Sequence, residues 1–234
     1  MRNTLIETVS QALGELAQPM TEQVFASDRS DVQLMLSLIR GACKGLVKLH
    51  DWSELQTLYS FQTVPGVASY VLPADFERLI GETMWNHSEN SPVFGAVSPR
   101  DWATIKGSGI DIGPTTRFRF QGGKLYLTPT PQSAQEISFE YISGYYAINP
   151  GDFVRKRTFT GDSDMYVFDD ALVTALVKVK WQDSQEMDTT NTLAEYNALL
   201  DTVQSSDGAP GNLYPSSRFR MIDGCNIPGS GLGN

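Results

Sequence analysis

Between Asp31 and Leu49 the residues Val32, Met35, Ile39, Ala42, Leu46 and Leu49 recur at alternating steps of three and four. That spacing stacks side chains into one stripe of an α-helix. Leu34, Leu36 and Leu38 add apolar surface off the stripe, so the helix must be covered on more than one side, by this chain or by a neighbour. Asp28 and Ser30 offer capping oxygens before its first turn. Three further stretches can supply the covering layer. Leu5, Val9, Ala12, Leu13 and Leu16 predict a short helix over residues 4–17, stopped by Pro19. Leu172, Ala175, Leu176 and Val179 form a stripe starting near Phe168, and Leu193, Tyr196, Leu199, Leu200 and Val203 form another. The short polar connection Met187–Asn191 between these two predicts an antiparallel αα-hairpin.

The period changes at Trp52. Residues 55–63 are rich in β-formers, Pro65-Gly66 marks a turn, and Ser69–Leu72 is the expected return strand. Residues 79–86 follow no clear period, whereas Ser98-Pro99 is a good helix start. Thr116–Phe120 and Lys124–Thr128, joined through Gly122-Gly123, make the clearest hairpin. Glu136–Ile142 alternates cleanly and predicts a third neighbouring strand, with Ile137, Phe139 and Tyr141 on one face and Phe118 and Phe120 sharing a face in the hairpin. The expected class is therefore α+β: a helical bundle built from the N-terminal helices and the C-terminal αα-hairpin, with an inserted small antiparallel β region. The expected division is a helical domain of residues 1–52 and 161–207, a β-rich domain of 53–160, and an extended C-terminal arm of 208–234. The arm holds six Gly and three Pro, yet carries Leu213, Tyr214, Phe219, Met221 and Ile222. Such anchors suit a partner surface better than a spacer.

Charge narrows the function. The chain of 234 residues carries a net −9 at pH 7. Nearly all of it comes from residues 161–207, which hold two Lys and ten acids. General binding to nucleic acid rests on Lys and Arg neutralising phosphates, so this balance argues against it. No apolar run reaches the length of a membrane-spanning helix, and the alternating start Met1–Ser10 does not read as a signal peptide. Two cysteines, Cys43 and Cys225, cannot build a disulfide framework, which suits synthesis inside a cell.

Motifs for chemistry are scarce. His50 and His87 are far apart and neither has a partner at metal-ligand spacing. His50 is best read as charge at a helix end and His87 as a loop residue. GxSxG, P-loop and GxGxxG sequences are missing. Gly161-Asp-Ser-Asp164 with Asp169-Asp170 suggests calcium but lacks the third ligand and the glycine of a helix-loop-helix site, so helix N-terminal charge explains it better. Glu54, Asp75, Glu77 and Asp101 could in principle provide a carboxylate pair for glycoside hydrolysis, and a cell-wall glycan hydrolase is the alternative reading. Arg155-Lys-Arg157 in a loop, and Arg117 and Arg119 opposite Phe118 and Phe120, are read as solvated positions in preference to phosphate contacts. The residues on their own therefore assign no catalytic group, cofactor or metal.

Several strings, in order, resemble the head-to-tail adaptor (connector) of short-tailed phages, the tail tubular protein A-like family. They are Trp52-Ser-Glu-Leu, Tyr59-Ser-Phe-Gln-Thr-Val-Pro-Gly, Ser69-Tyr-Val-Leu-Pro-Ala-Asp-Phe and Phe118-Arg-Phe-Gln-Gly-Gly-Lys-Leu-Tyr-Leu-Thr-Pro, followed by Glu140-Tyr and the acidic helical pair. The likeness covers roughly residues 30–205, while 82–113 and the arm look individual. It implies a non-enzymatic structural virion protein, made in the host cytoplasm. It also implies a dodecameric ring at the head–tail junction, joining the portal to the tail tube or nozzle and serving genome ejection through a channel. DNA would pass without sequence-specific binding. Leu213, Tyr214, Phe219 and Ile222 are then expected to meet the portal or a neighbouring subunit, with Arg218 and Arg220 facing partner acids. Asp183, Glu186, Asp188, Glu195 and Asp201 are candidates for an acidic channel wall that repels the DNA backbone.

Overall fold

Helix α1 (Leu5–Glu15) starts at a reciprocal cap: Glu7 N–H donates to Thr4 Oγ1, and Glu7 Oε2 accepts from the Thr4 N–H at 2.7 Å. The structure is a computed structural model that describes residues 3–107 and 115–207. Helix α2 (Ser30–Leu49) follows the seam, with Val32, Met35, Ile39, Ala42 and Leu46 buried, but Leu49 at its end is half exposed. Neither Asp28 nor Ser30 caps it; the N-cap is Arg29, which makes no side-chain cap bond. α3 (Pro99–Gly107) starts where Ser98 Oγ accepts the Asp101 N–H. Helices α4 (Asp170–Ser184) and α5 (Thr190–Ser206) are the expected hairpin.

Among the described residues, eleven strands fall into three antiparallel sheets. In the largest, β8 (Glu136–Ser143) pairs along one side with β1 (Gln56–Gln62). Its other side carries β3 (Phe76–Leu79) and β4 (Trp85–Asn86), and β5 (Ser91–Pro92) pairs with β4. A second sheet joins β2 (Ser69–Val71), β7 (Lys124–Thr128) and β6 (Arg117–Gln121). Gly122 and Gly123, at φ 57° and 71°, close the β6–β7 hairpin as its two turn residues. The third sheet is small: β9 (Ala147–Ile148) lies between β10 (Arg155–Lys156) and β11 (Met165–Tyr166).

Three sequence expectations need correction. The chain is an α+β mixture of five helices and three antiparallel sheets among the described residues, with strands dominating the middle, and not a helical bundle with a small β insertion. Strands of two to four residues such as β3, β4 and β9–β11 are too short for a period-two signature. Their pairing is fixed instead by distant partners and by side chains: Thr83 Oγ1, for example, accepts from Glu140 N–H at 3.1 Å. β2 is not the return strand of β1, and β8 does not extend the β6–β7 hairpin: β2 pairs with β7, and β8 with β1. Local alternation marks a strand's faces but carries no information about its neighbour. The faces themselves are as expected, with Ile137, Phe139 and Tyr141 buried together.

Two hydrophobic clusters result. One joins α1, α2 and α4 to the β9–β11 sheet, through residues such as Leu13, Met35, Ile39, Tyr146, Phe159, Tyr166 and Leu172. The other lies between the two larger sheets, around Met84, Phe118, Leu125, Leu127, Phe139 and Tyr141. Arg78 of β3 clasps them together. Its guanidinium donates to the carbonyls of Val47 at 2.7 Å and His50 at 2.6 Å, and Nε donates to Asp51 Oδ1 at 3.1 Å. It thereby satisfies carbonyls that α2 leaves open at its C-terminal end.

Candidate interaction surfaces

The nine acids of residues 161–201 divide into two groups with different work. Asp164 is buried and holds Lys156 Nζ at 2.7 Å, together with the N–H groups of Thr160 at 2.6 Å and Gly161 at 3.0 Å. Burial pushes its carboxyl pKa up, but the bonds from Lys156, Thr160 and Gly161 outweigh it and hold the group below the ordinary carboxylate value. Asp162 Oδ1 accepts from Phe25 N–H at 2.9 Å, Asp169 caps α4 by accepting from Leu172 N–H at 3.0 Å, and Asp170 accepts from Asn3 N–H at 3.1 Å. The string that suggests calcium is thus spent on joining the two ends of the helical layer. No group of three His, Cys, Asp or Glu among the described residues is placed to hold a metal ion.

The second group faces outward. Asp183, Glu186, Asp188, Glu195 and Asp201 are all exposed on α4, α5 and their connection. Asp188 accepts from Thr190 Oγ1 at 2.6 Å and from Thr190 N–H at 3.0 Å, bonds that lower its carboxyl pKa and start α5. Glu195 lies 3.7 Å from Lys178, which is closer, at 2.8 Å, to Glu15 of α1. The Lys178 ammonium is disfavoured by burial, yet the Glu15 bond and the fields of Glu15 and Glu195 raise its pKa overall. α5 buries no residue completely, and Leu193 and Met187 are exposed. This hairpin carries charge outside and only partly buried apolar residues within.

Opposite charge gathers on α2. Arg40, Lys44 and Lys48 stand four residues apart on one side. The surface around them is open, since a Cβ added at Gly41 or Gly45 would meet nothing within 4 Å. A cleft of about 210 Å³ is lined by Lys44, Lys48, Glu77, Tyr146 and Arg157 among others. Arg40 donates to the Phe159 carbonyl at 3.0 Å and lies over the Phe25 ring at 5.3 Å, while its Nε is buried without a hydrogen-bond partner. The i, i+4, i+8 spacing of these cations is visible in the sequence, where the stronger apolar stripe hides it. The triad expected as a solvated loop is in part strand β10: Lys156 is bound to buried Asp164, Arg155 is 4.0 Å from Glu54, and Arg157 lines the cleft. Arg117 is exposed and Arg119 half-buried on the outer face of β6.

The remaining chemical candidates are engaged structurally. Asp75 accepts from Tyr141 Oη at 2.9 Å, Glu77 lies 3.5 Å from Lys48, and Asp101 Oδ2 accepts from Ser98 Oγ. Every described carboxyl with a resolved shift (Glu7, Glu15, Asp31, Asp164 and Asp188) is lowered, the opposite of what a general acid in glycoside hydrolysis requires. His50 stands at the end of α2, 3.5 Å from the Asp207 carboxylate, and His87 Nε2 is 2.7 Å from Ser138 Oγ. Cys43 is buried, which raises its thiol far above the ordinary value. No described helix is long and apolar enough to cross a membrane. Leu213, Tyr214, Arg218, Phe219, Arg220, Ile222 and Cys225 lie outside the described residues.

An architecture with its buried acids spent on joints, charge of each sign gathered on its own surface and a C-terminal sequence rich in apolar residues fits assembly better than turnover. No curated protein matches the sequence. Residues 3–215 match the SU10 adaptor protein family, which implies a structural, non-enzymatic component of a phage virion at the head–tail junction, in contact with portal and tail components. The match spans nearly the whole chain, which belongs to the SU10 adaptor protein family.

Proposed function

We propose that copies of this chain form a ring, twelve in the short-tailed form of such connectors, seated between the capsid portal and the tail tube or nozzle. The ring leaves a channel through which DNA passes during ejection without being bound in a sequence-specific way. The observation that carries this reading is the adaptor-family match over residues 3–215. Charge supports the channel. Asp183, Glu186, Asp188, Glu195 and Asp201 are exposed, and a carboxylate-rich wall repels phosphates and offers them no ligand. On this reading the helical unit of residues 1–52 and 161–207 and the β-rich unit of 53–160 face different neighbours. Leu213, Tyr214, Arg218, Phe219, Arg220 and Ile222 of the arm meet the portal or the next subunit. Burying the apolar side chains of the arm on such a partner offsets the entropy of ordering the segment.

Mass measurement by light scattering, with the protein alone and mixed with its portal, tests the proposal. The expected result is a closed oligomer that joins the portal stoichiometrically and loses that association when residues 208–234 are deleted. A monomer that ignores the portal overturns it.

A further inference from the structure

Strand β1 lies at the end of its sheet, and among the described residues β8 is its one strand partner. Its register with β8 runs from Gln56↔Ile142 to Gln62↔Glu136 without a shift, and its sequence, Gln-Thr-Leu-Tyr-Ser-Phe-Gln, contains no charge and no proline. Long, regular, uncharged edges recruit other strands, and proteins normally blunt them. The edge of β6 is so treated: Phe94 and Val97 donate to the carbonyls of Thr116 and Phe118 at 2.9 Å, and Phe118 N–H donates back to Phe94. Among the described residues no loop backbone covers β1 in this way. Just beyond the strand, Thr63 N–H donates to the Gln135 carbonyl on the β8 side. The antiparallel alternation therefore turns the N–H and C=O groups of Tyr59 and Phe61 toward β8, and those of Leu58, Ser60 and Gln62 toward the open side.

The side chains at this edge are also unfinished. Tyr59 and Phe61 stack at 5.9 Å on the rim of the β core and are only half-buried. On the opposite face Leu58 is 65% exposed, beside Glu140, with Glu136 beside Gln62. A strand completing both faces needs apolar residues at one parity and cationic residues at the other. Residues 216–222 read Ser-Ser-Arg-Phe-Arg-Met-Ile. With Phe219 and Met221 laid against Tyr59 and Phe61, Arg218 and Arg220 fall on the face of Glu136 and Glu140. Extended Arg and Glu side chains meet over the short Ser60, across two strand spacings of about 4.8 Å each.

We propose that the open edge of β1 receives residues 216–222 from the arm of a neighbouring copy as an added strand. The inference rests on the ring reading and gives it an interface. Donor arm and acceptor edge are different surfaces of one chain, and such a head-to-tail contact builds a ring when the rotation between copies closes. The last described residue places the donor near this edge: Asp207 accepts from Ser53 N–H at 2.9 Å and from Ser53 Oγ at 2.6 Å, three residues before β1. Each copy therefore starts its arm beside its own acceptor strand and can pass it to the next.

Amide hydrogen exchange on the full-length protein tests this. In the intact oligomer the amides of Leu58, Ser60 and Gln62 should exchange slower by about tenfold or more than in a Phe219→Asp/Met221→Asp variant, while those of Tyr59 and Phe61 stay equally protected in both. Equal exchange of the three edge amides in both proteins overturns the proposal, as does protection appearing only after portal is added. Ser60→Cys combined in turn with Arg218→Cys, Arg220→Cys or Ile222→Cys, in a Cys225→Ser background, identifies the donor. Disulfide-linked dimers and higher species on a non-reducing gel support a neighbour's arm, and cross-linking confined to the monomer overturns it. Light scattering separates the two readings: an oligomer with an unprotected edge sinks this interface and leaves the ring standing, whereas a monomer sinks the ring itself.

Discussion

The two hydrophobic cores of this chain are finished to different degrees. The helical core is enclosed by α1, α2, α4 and the β9–β11 sheet, with Tyr196, Leu199, Leu200 and Val203 of α5 packed half-buried against it, and it is cross-linked by polar bonds such as Thr8 Oγ1 to Tyr166 Oη at 2.7 Å and Lys156 to Asp164. The β core is built of apolar and aromatic side chains, and its rim of Tyr59, Phe61 and Tyr70 remains half-buried. A core that is sealed by polar cross-links holds its shape alone. One that ends in half-buried rings and an open strand edge leaves apolar surface and backbone groups for the proposed neighbour to cover.

The largest effect should come from breaking the β core at its centre. Phe139 is fully buried and touches Tyr59, Phe76 and Tyr141, so Phe139→Ala should cost about 3–5 kcal/mol, measured by denaturant unfolding. Hydrogen exchange should show the β8 amides loosened while those of α2 stay protected. Equal loosening of both would mean that the cores unfold as one unit and would break the comparison.

The helical core should be more sensitive to acid. Asp164→Asn leaves Lys156 without its counter-charge and should cost about 3 kcal/mol, the low end for a buried pair because the Lys156 side chain is 25% exposed. The sign of the pH effect follows from the depressed Asp164 carboxyl. A carboxyl whose pKa is lower folded than unfolded stabilises fully above its unfolded value, about 3.9, and loses this as pH falls through the folded value. Wild-type stability should therefore decline below about pH 4, and the variant should lose less over the same range. An identical acid profile for the two proteins would remove Asp164 as the cause.

How much of this contrast the sequence reveals depends on the residue. Val32, Met35, Ile39, Ala42 and Leu46 announce α2 because helical burial repeats every three or four positions. Gly122-Gly123 announces its hairpin because that turn needs two positive φ angles. The pairings of β1 with β8 and β2 with β7 join residues far apart, and nothing in a strand's own alternation encodes them. Asp164 is equally opaque: beside Asp162 and Gly161 it resembles a surface or cation-binding acid, and only folding brings Lys156 to it. Of the surfaces, the outward acids of the α4–α5 hairpin are legible from composition, while the open edge of β1 emerges only from the sheet order.

The clasp between the cores comes next in size. Arg78→Met keeps much of the apolar stem but removes the donors to the Val47 and His50 carbonyls and to Asp51. Arg78 is 31% exposed on its side chain, so water can partly replace it. A loss of about 1.5–2 kcal/mol is expected, at the low end for hydrogen bonds from a charged group. The useful readout is local: the last turn of α2 and β3 should exchange faster, with both core centres unchanged. Faster exchange at Phe139 or Met35 would show that the clasp stabilises the cores themselves and does not only join them.

The smallest stability effect should come from the surface that carries most of the charge. Asp183, Glu186 and Asp201 are exposed, and among the described residues no cation stands within ion-pair distance of any of the three. Exposed charges of one sign repel weakly through water and salt. Neutralising the three as Asn, Gln and Asn should therefore shift unfolding by no more than about 0.5 kcal/mol in total. Glu195, which lies near Lys178, should cost a few tenths more as Glu195→Gln, within the range of exposed ion pairs. A large loss of stability would mean that these acids hold the fold together, and the contrast between structural and outward acids would collapse. If stability holds while the neutralised protein gains affinity for DNA at low salt, the acids matter for how the protein meets DNA and not for how it folds. That gain should fade as salt rises, because screening weakens the repulsion that the native carboxylates supply.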